Sequence, residues 1–140
     1  MKIIVREMVI DDYDGVMTIW KETSGLGLSS ADERGEVKKF LDINPKTSLI
    51  IEIDGKIAGS VLGGFDGRRG YIYHMVVVEK MKGRGLGKML MDELELRFRE
   101  LGARKIHLMI YLDNINWRFY EKRGYARRDG ELFIMSRDLD

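Results

Sequence analysis

Two periodicities alternate along this chain. Ile10, Tyr13, Met17 and Trp20 fall on one face of a helix, Val37, Phe40 and Leu41 continue a second, and Leu86, Leu90, Leu94, Phe98 and Leu101 mark a longer third. Strand-type runs lie between and around them: Ile3 to Met8, Thr47 to Ile53, Lys56 to Phe65, Gly70 to Glu79 and Lys105 to Ile110. Within the fourth run, Met75-Val76-Val77-Val78 has no polar position, which suits a strand buried on both faces.

Turn and cap residues set the limits of these elements. Asp11 or Asp12 can cap the first helix. Ser30-Ala31-Asp32-Glu33 has capping-box spacing for the second, which Asn44-Pro45 stops. Asp54-Gly55 and Asp66-Gly67 accept the positive φ angles of tight hairpins. Gly102 ends the third helix, and Asp113 and Asn114 are candidate caps for a short fourth one carrying Trp117 and Tyr120. Tyr125 to Arg128 and Leu132 to Arg137 read as a last hairpin across Asp129-Gly130. The resulting order is β-α-α-β-β-β-α-β-α-β-β, an α/β fold with helices on both faces of a mixed sheet. Ser24-Gly25-Leu26-Gly27-Leu28-Ser29 combines flexible residues with two leucines and reads as a flap over a site.

With 140 residues and 44% hydrophobic positions, the chain suits a single domain, residues 1–140, with one core. A net charge of +1 gives no overall attraction to nucleic acid or membrane, so any anion affinity must be local. Residues 1–36 hold eight acids against four bases, leaving about +5 for the rest. Such an acidic region would suit a cationic amine, although solvated helix faces give the same count. With no cysteine, disulfides, thiolate metal sites and a cysteine nucleophile are excluded, and both histidines stand alone; no metal is expected. No apolar run is long enough for a membrane span, which makes the cytoplasm the expected location.

The candidate chemistry centres on Lys82-Gly83-Arg84-Gly85-Leu86-Gly87-Lys88, between the apolar strand and the long helix. The first N–H groups of a helix have no internal partner, and its dipole adds about half a positive charge there. Glycines let an oxyanion approach those amides, and Lys82, Arg84 and Lys88 add cationic donors, so a phosphate ester fits. A surface loop with incidental charge is the alternative. A nucleoside-triphosphate loop requires four residues between its glycines and then Lys-Ser or Lys-Thr, whereas three separate Gly83 from Gly87 and Met89 follows Lys88. A dinucleotide fingerprint requires glycine where Lys88 stands.

The turn resembles the pyrophosphate loop of the GCN5-related N-acetyltransferases (GNAT), in which Arg or Gln is followed by two residues, Gly, one residue, and Gly or Ala. Lys82 departs from the usual first residue but keeps its charge. The order of elements is also the one this family implies, so the resemblance runs through nearly the whole chain and implies a mostly antiparallel sheet. It further implies acetyl-CoA as co-substrate, with the pyrophosphate on Lys82, Gly83, Arg84, Gly85, Leu86, Gly87 and Lys88. The pantetheine would pair with the backbone of Met75, Val76 and Val77 and lie in a splay between the fourth and fifth strands. Tyr120-Glu121-Lys122-Arg123-Gly124-Tyr125 matches the end of the family's second motif. There Asp113 stands where asparagine is usual, and Asn114 can serve if the loop is one residue shorter.

These matches imply an N-acetyltransferase that moves an acetyl group to a primary amine by direct attack in a ternary complex. Tyr120 would be the general acid for the departing thiolate; a buried core aromatic is its other reading. Strict alternation puts Tyr71 and Tyr73 on one face with Met75 and Val77, and His74 on the other with Ile72 and Val76, unless a bulge intervenes. His74 then reads as a satisfied histidine within the sheet. The base is left open among the tyrosines, a water relay, Asp66 and Glu79. The acceptor is a small molecule or a protein amino group, with no nucleic acid or membrane partner, and a homodimer is common in the family. A non-catalytic acyl-CoA sensor and a plain phosphate-binding domain are the alternatives.

Overall fold

The computed structural model describes residues 1–139. They divide into two compact units, Met1–Met109 and a second that begins at Ile110. Strands β1 (Ile3–Glu7), β2 (Leu49–Ile53), β3 (Lys56–Phe65), β4 (Gly70–Val77) and β5 (Ile106–Leu108) form one sheet in that order. The first three pairings are antiparallel, while β4 and β5 run parallel. Helices α1 (Tyr13–Glu22), α2 (Arg34–Ile43) and α3 (Leu86–Glu100) complete the first unit, and α4 (Trp117–Lys122) belongs to the second. The mixed, mostly antiparallel sheet flanked by helices agrees with the expected fold class. Among the described residues no helix is long and apolar enough to cross a membrane.

Alternation along the strands builds two apolar layers. Met8, Val16, Trp20, Val37, Leu41, Ile50, Leu62 and Val76 cluster on the α1 and α2 side of the sheet. Buried Trp20 donates its indole N–H to buried Ser60 at 3.0 Å, which satisfies both polar atoms. On the opposite side lie Leu86, Leu90, Leu94 and Phe98 of α3, all at most 1% exposed. The helix comes close because the sheet offers glycines beneath it. A Cβ on Gly59 would stand 2.7 Å from the Val76 carbonyl, one on Gly63 would strike the Thr47 carbonyl, and one on Gly70 would lie 2.8 Å from the Phe98 ring.

The strand alternation breaks in β3, where Ala58 is the extra residue opposite Ile51 and Glu52 of β2, and again in β4. Ser60 pairs with Val76 but Leu62 pairs with Tyr73, so Val61 alone stands opposite His74 and Met75. This is a bulge, and His74 takes the left-handed conformation at φ +50°. It corrects the expected alternation: Tyr73 shares a face with Val76, and His74 turns to the α1 side, where its ring lies 4.9 Å from that of Trp20.

Boundaries shift elsewhere for local reasons. The second capping box is Ser29 with Asp32 and starts a single 3-10 turn, so α2 begins only at Arg34. The expected strands Tyr125–Arg128 and Leu132–Arg137 are not strands; a turn at Arg128–Glu131 separates irregular segments. An isolated hairpin is marginal in water, and Phe133 and Met135 stay more than 80% exposed, so little burial supports that pairing.

Asp12 precedes α1 without capping it. Its carboxylate accepts two 2.8 Å bonds from Arg6 and one of 2.9 Å from the Val9 N–H, while the Arg6 Nε donates to Glu52. Burial opposes ionisation of Asp12, but these bonds and the Arg6 charge outweigh it and hold the carboxyl below its ordinary range. A carboxyl depressed on folding adds stability at neutral pH, which is lost as pH falls through its folded pKa. Asp12→Asn should therefore lower Tm by about 2–6 °C at pH 7. Circular dichroism melts at decreasing pH should show the difference from the parent protein shrinking through the acid range.

Candidate functional site

Two features of the first unit come together at one end of the sheet. The first is the turn between β4 and α3. Gly83 and Gly85 have φ of +80° and +78°, the latter as the N-cap of α3, so side chains at either position would strain the backbone. The first bond of the helix runs from the Met89 N–H to the Gly85 carbonyl at 3.1 Å. Among the described residues no protein acceptor takes the N–H groups of residues 83–88, and the first turn of α3 holds no acid. Leu86 and Leu90 anchor this end on the sheet while Gly83 to Gly85 stay exposed. Seven residues expected at an anion site thus surround one set of unpaired donors.

The three cations of the turn are not equivalent. Lys82 pairs with Glu79 at 2.8 Å and Lys88 with Asp92 at 2.7 Å, both exposed contacts of small energetic weight. Arg84 has no partner among the described residues.

The second feature is an incomplete edge of β4. Strand β5 pairs with Gly70, Tyr71 and Ile72, so among the described residues Tyr73 to Val77 continue without a partner strand on that side. Met75, Val76 and Val77 lie on this stretch, directly before the turn. Their side chains do not distinguish an ordinary strand from a ligand-pairing one; what the structure adds is that this edge has no partner strand among the described residues.

The bulge adds an unexpected pair. The His74 Nε2 lies 2.7 Å from Asp32 Oδ1, and Asp32 Oδ2 accepts the Ser29 N–H at 2.9 Å. The Asp32 carbonyl accepts the Tyr13 hydroxyl at 2.7 Å. Asp32 is 6% exposed and also lines an open groove of about 560 Å³ with Tyr13, Met17, Leu28 and Glu33. Forty-two positions separate the two residues in sequence. Asp32 carried only a capping signal, so nothing in the spacing pointed to this contact.

Other candidates are placed less favourably. The Asp66 carboxylate closes its own hairpin by accepting the N–H groups of Arg68 and Arg69, which hold it below its ordinary range. Glu79 is a rim carboxylate whose side chain is 87% exposed. The phenol of Tyr73, edge-on to Phe40, is pushed up by burial and then by Tyr71.

In the second unit, Tyr120 is 8% exposed, with its ring edge-on to Phe119 and Tyr125. Burial pushes its phenol far above the ordinary range, so it stays protonated throughout the neutral region. Its hydroxyl has no partner among the described residues, yet it is not a sealed unsatisfied atom. Asn114 accepts the Asn116 N–H at 2.9 Å and shapes the approach to α4, whereas Asp113 is exposed.

Comparison with known proteins finds relatives over most of the chain. The model of the acetyltransferase (GNAT) family matches residues 13–125. An acetyltransferase of Pectobacterium atrosepticum is 38% identical over 120 residues, covering 85% of this chain and 84% of that protein. Ard1 from Thermoplasma volcanium superposes with a TM-score of 0.79 at 21% identity, over 90% of this chain and 84% of that one. The PaiA N-acetyltransferase of Thermoplasma acidophilum, solved in complex with coenzyme A, gives 0.74 at 15% identity over 88% and 89%.

The positive φ at Gly85 carries a measurable cost. Gly85→Ala should lose about 1–2 kcal/mol of unfolding free energy in urea titrations, whereas Gly130→Ala, where a Cβ meets open space, should stay close to the parent.

Proposed function

The chain belongs to the acetyltransferase (GNAT) family, and from that premise we propose that it uses acetyl-CoA to acetylate a primary amine by direct attack in a ternary complex. One observation carries the reading: the unclaimed N–H groups of residues 83–88 lie directly after the unpartnered edge of β4. A diphosphate satisfies the first and an extended amide-bearing arm satisfies the second, and coenzyme A joins those two chemistries in one molecule. The named relatives support acetyl as the group carried.

In this reading Gly83 to Lys88 donate backbone N–H groups to the diphosphate, and Arg84 adds the unpaired cation. Lys82 and Lys88 exchange their carboxylate partners for phosphate oxygens. Met75 to Val77 offer backbone groups to the pantetheine amides and the acetyl carbonyl. Polarising that carbonyl helps the amine nitrogen form its C–N bond, after which the C–S bond breaks. Tyr120 gives its proton to the departing sulfur, a role assigned on its sequence motif and its protonated phenol. With no cysteine in the chain, no thioester on the enzyme intervenes.

Acetyl-CoA titrated into the protein by calorimetry, followed by thiol release from pools of polyamines, amino acids, amino sugars and lysine peptides, tests the reading. Binding with amine-dependent release is expected; binding without release across all pools would instead indicate a sensor. Arg84→Ala should weaken acetyl-CoA binding about tenfold; full affinity would show that the turn does not hold the diphosphate. Tyr120→Phe should lower kcat by about 10²-fold and leave acetyl-CoA affinity intact. Unchanged turnover with the working amine would remove Tyr120 from the mechanism.

A further inference from the structure

Acetyl transfer requires something to remove a proton from the acceptor, since an alkylamine reaches the site largely as its ammonium ion. On this premise, which rests on the reading above, we infer that His74 is the general base and that Asp32 positions it.

The geometry fixes the imidazole through one ring nitrogen. Asp32 Oδ1 accepts from Nε2, so Nε2 carries the hydrogen and Nδ1 is left with the lone pair. Asp32 cannot turn away easily, because its other carboxylate oxygen holds the Ser29 N–H and its carbonyl holds the Tyr13 hydroxyl. Trp20 packs beside the ring at 4.9 Å. The side chain of His74 is 11% exposed. Among the described residues no donor reaches Nδ1, and it is not among the sealed unsatisfied atoms. A basic nitrogen that is oriented, unused and open to a small partner is the arrangement proton abstraction needs.

The backbone points the same way. A histidine at φ +50° is an uncommon conformation, with a cost the surrounding contacts must offset. Here the conformation turns the imidazole to the face of Asp32 and places it one residue before Met75, on the strand whose edge would hold the acetyl group. The same carboxylate lines a groove where Asp14, Asp32 and Glu33 face one cation, Lys21, so the balance is acidic and an ammonium is favoured beside the base that would discharge it. Asp66 and Glu79 are committed to a hairpin and to the rim.

The step balances as follows. One ammonium proton passes to Nδ1, and the Asp32 carboxylate stabilises the imidazolium. The freed lone pair forms the C–N bond. As the tetrahedral adduct collapses, the C–S pair leaves on sulfur, which takes a proton from Tyr120 or water. Nitrogen sheds its second proton, which restores the Tyr120 hydroxyl or the water that supplied the sulfur, and His74 returns its own to solvent.

The test uses the full chain, acetyl-CoA and the amine giving the fastest thiol release in the pools above, with hydroxylamine as a second acceptor that is already uncharged at neutral pH. His74→Gln, and His74→Asn, which keeps a residue tolerant of positive φ, should each lower kcat with the alkylamine by about 10²-fold. The KM for acetyl-CoA and the rate with hydroxylamine should hardly change. Asp32→Asn, able to accept from Nε2 but not to balance the imidazolium, should give a smaller loss with the same split between acceptors. Retained alkylamine turnover in His74→Asn would overturn the assignment and leave the acetyltransferase reading standing. An equal loss with both acceptors would also overturn it, assigning His74 to the bulge alone. If the parent protein binds acetyl-CoA yet releases thiol to no amine, the assignment falls together with the reading it rests on.

Discussion

The close contact of α3 with the sheet is the constraint from which the rest of this structure follows. Gly59, Gly63 and Gly70 leave no side chains beneath the helix, and Leu90, Leu94 and Phe98 occupy the space. Packing at interior density leaves the helix little freedom to slide. Its first turn is therefore fixed at the end of β4, where Gly85 reverses the chain. Six backbone donors emerge at one place because of contacts made about one to three turns away.

The second constraint is that β4 must do two things along one strand. From Gly70 to Ile72 it is an interior strand, paired on both sides; beyond that, β5 stops and one edge stays without a partner. The bulge falls in this changeover. It keeps Val76 in the core while re-aiming His74 and Met75, so the stability of the sheet and the direction of its polar groups are separated by one inserted residue. Asp32, from the segment between α1 and α2, ties that inserted residue down.

Most of the architecture was legible because it is written in periodicity. The 3.6-residue spacing from Leu86 to Phe98 and the valine run at Val76 to Val78 each have one sensible burial solution, and Asp54-Gly55 and Gly102 mark their turns by conformational need. The glycine turn was legible for the same reason. The Asp32–His74 contact was not, since it joins residues with no shared pattern and depends on a bulge that breaks the alternation rule itself. The last hairpin failed for the opposite cause: Leu132 to Met135 has strand composition, but composition does not supply a neighbouring strand. The pairing of Lys82 with Glu79 was likewise visible only once a 3-10 turn over Glu79–Met81, where the run to Glu79 reads as strand, brought the two side chains together.

In the proposed reading, the two ion pairs of Lys82 and Lys88 affect discrimination. A turn bearing three uncompensated cations would attract any polyanion in the cell, DNA and RNA included. With Glu79 and Asp92 in place, the long-range field of the turn is reduced to little more than Arg84, and the lysines become available only to a group that comes close enough to displace a carboxylate. Selectivity then depends on contact geometry rather than on distant attraction, which suits a protein whose overall charge is nearly balanced.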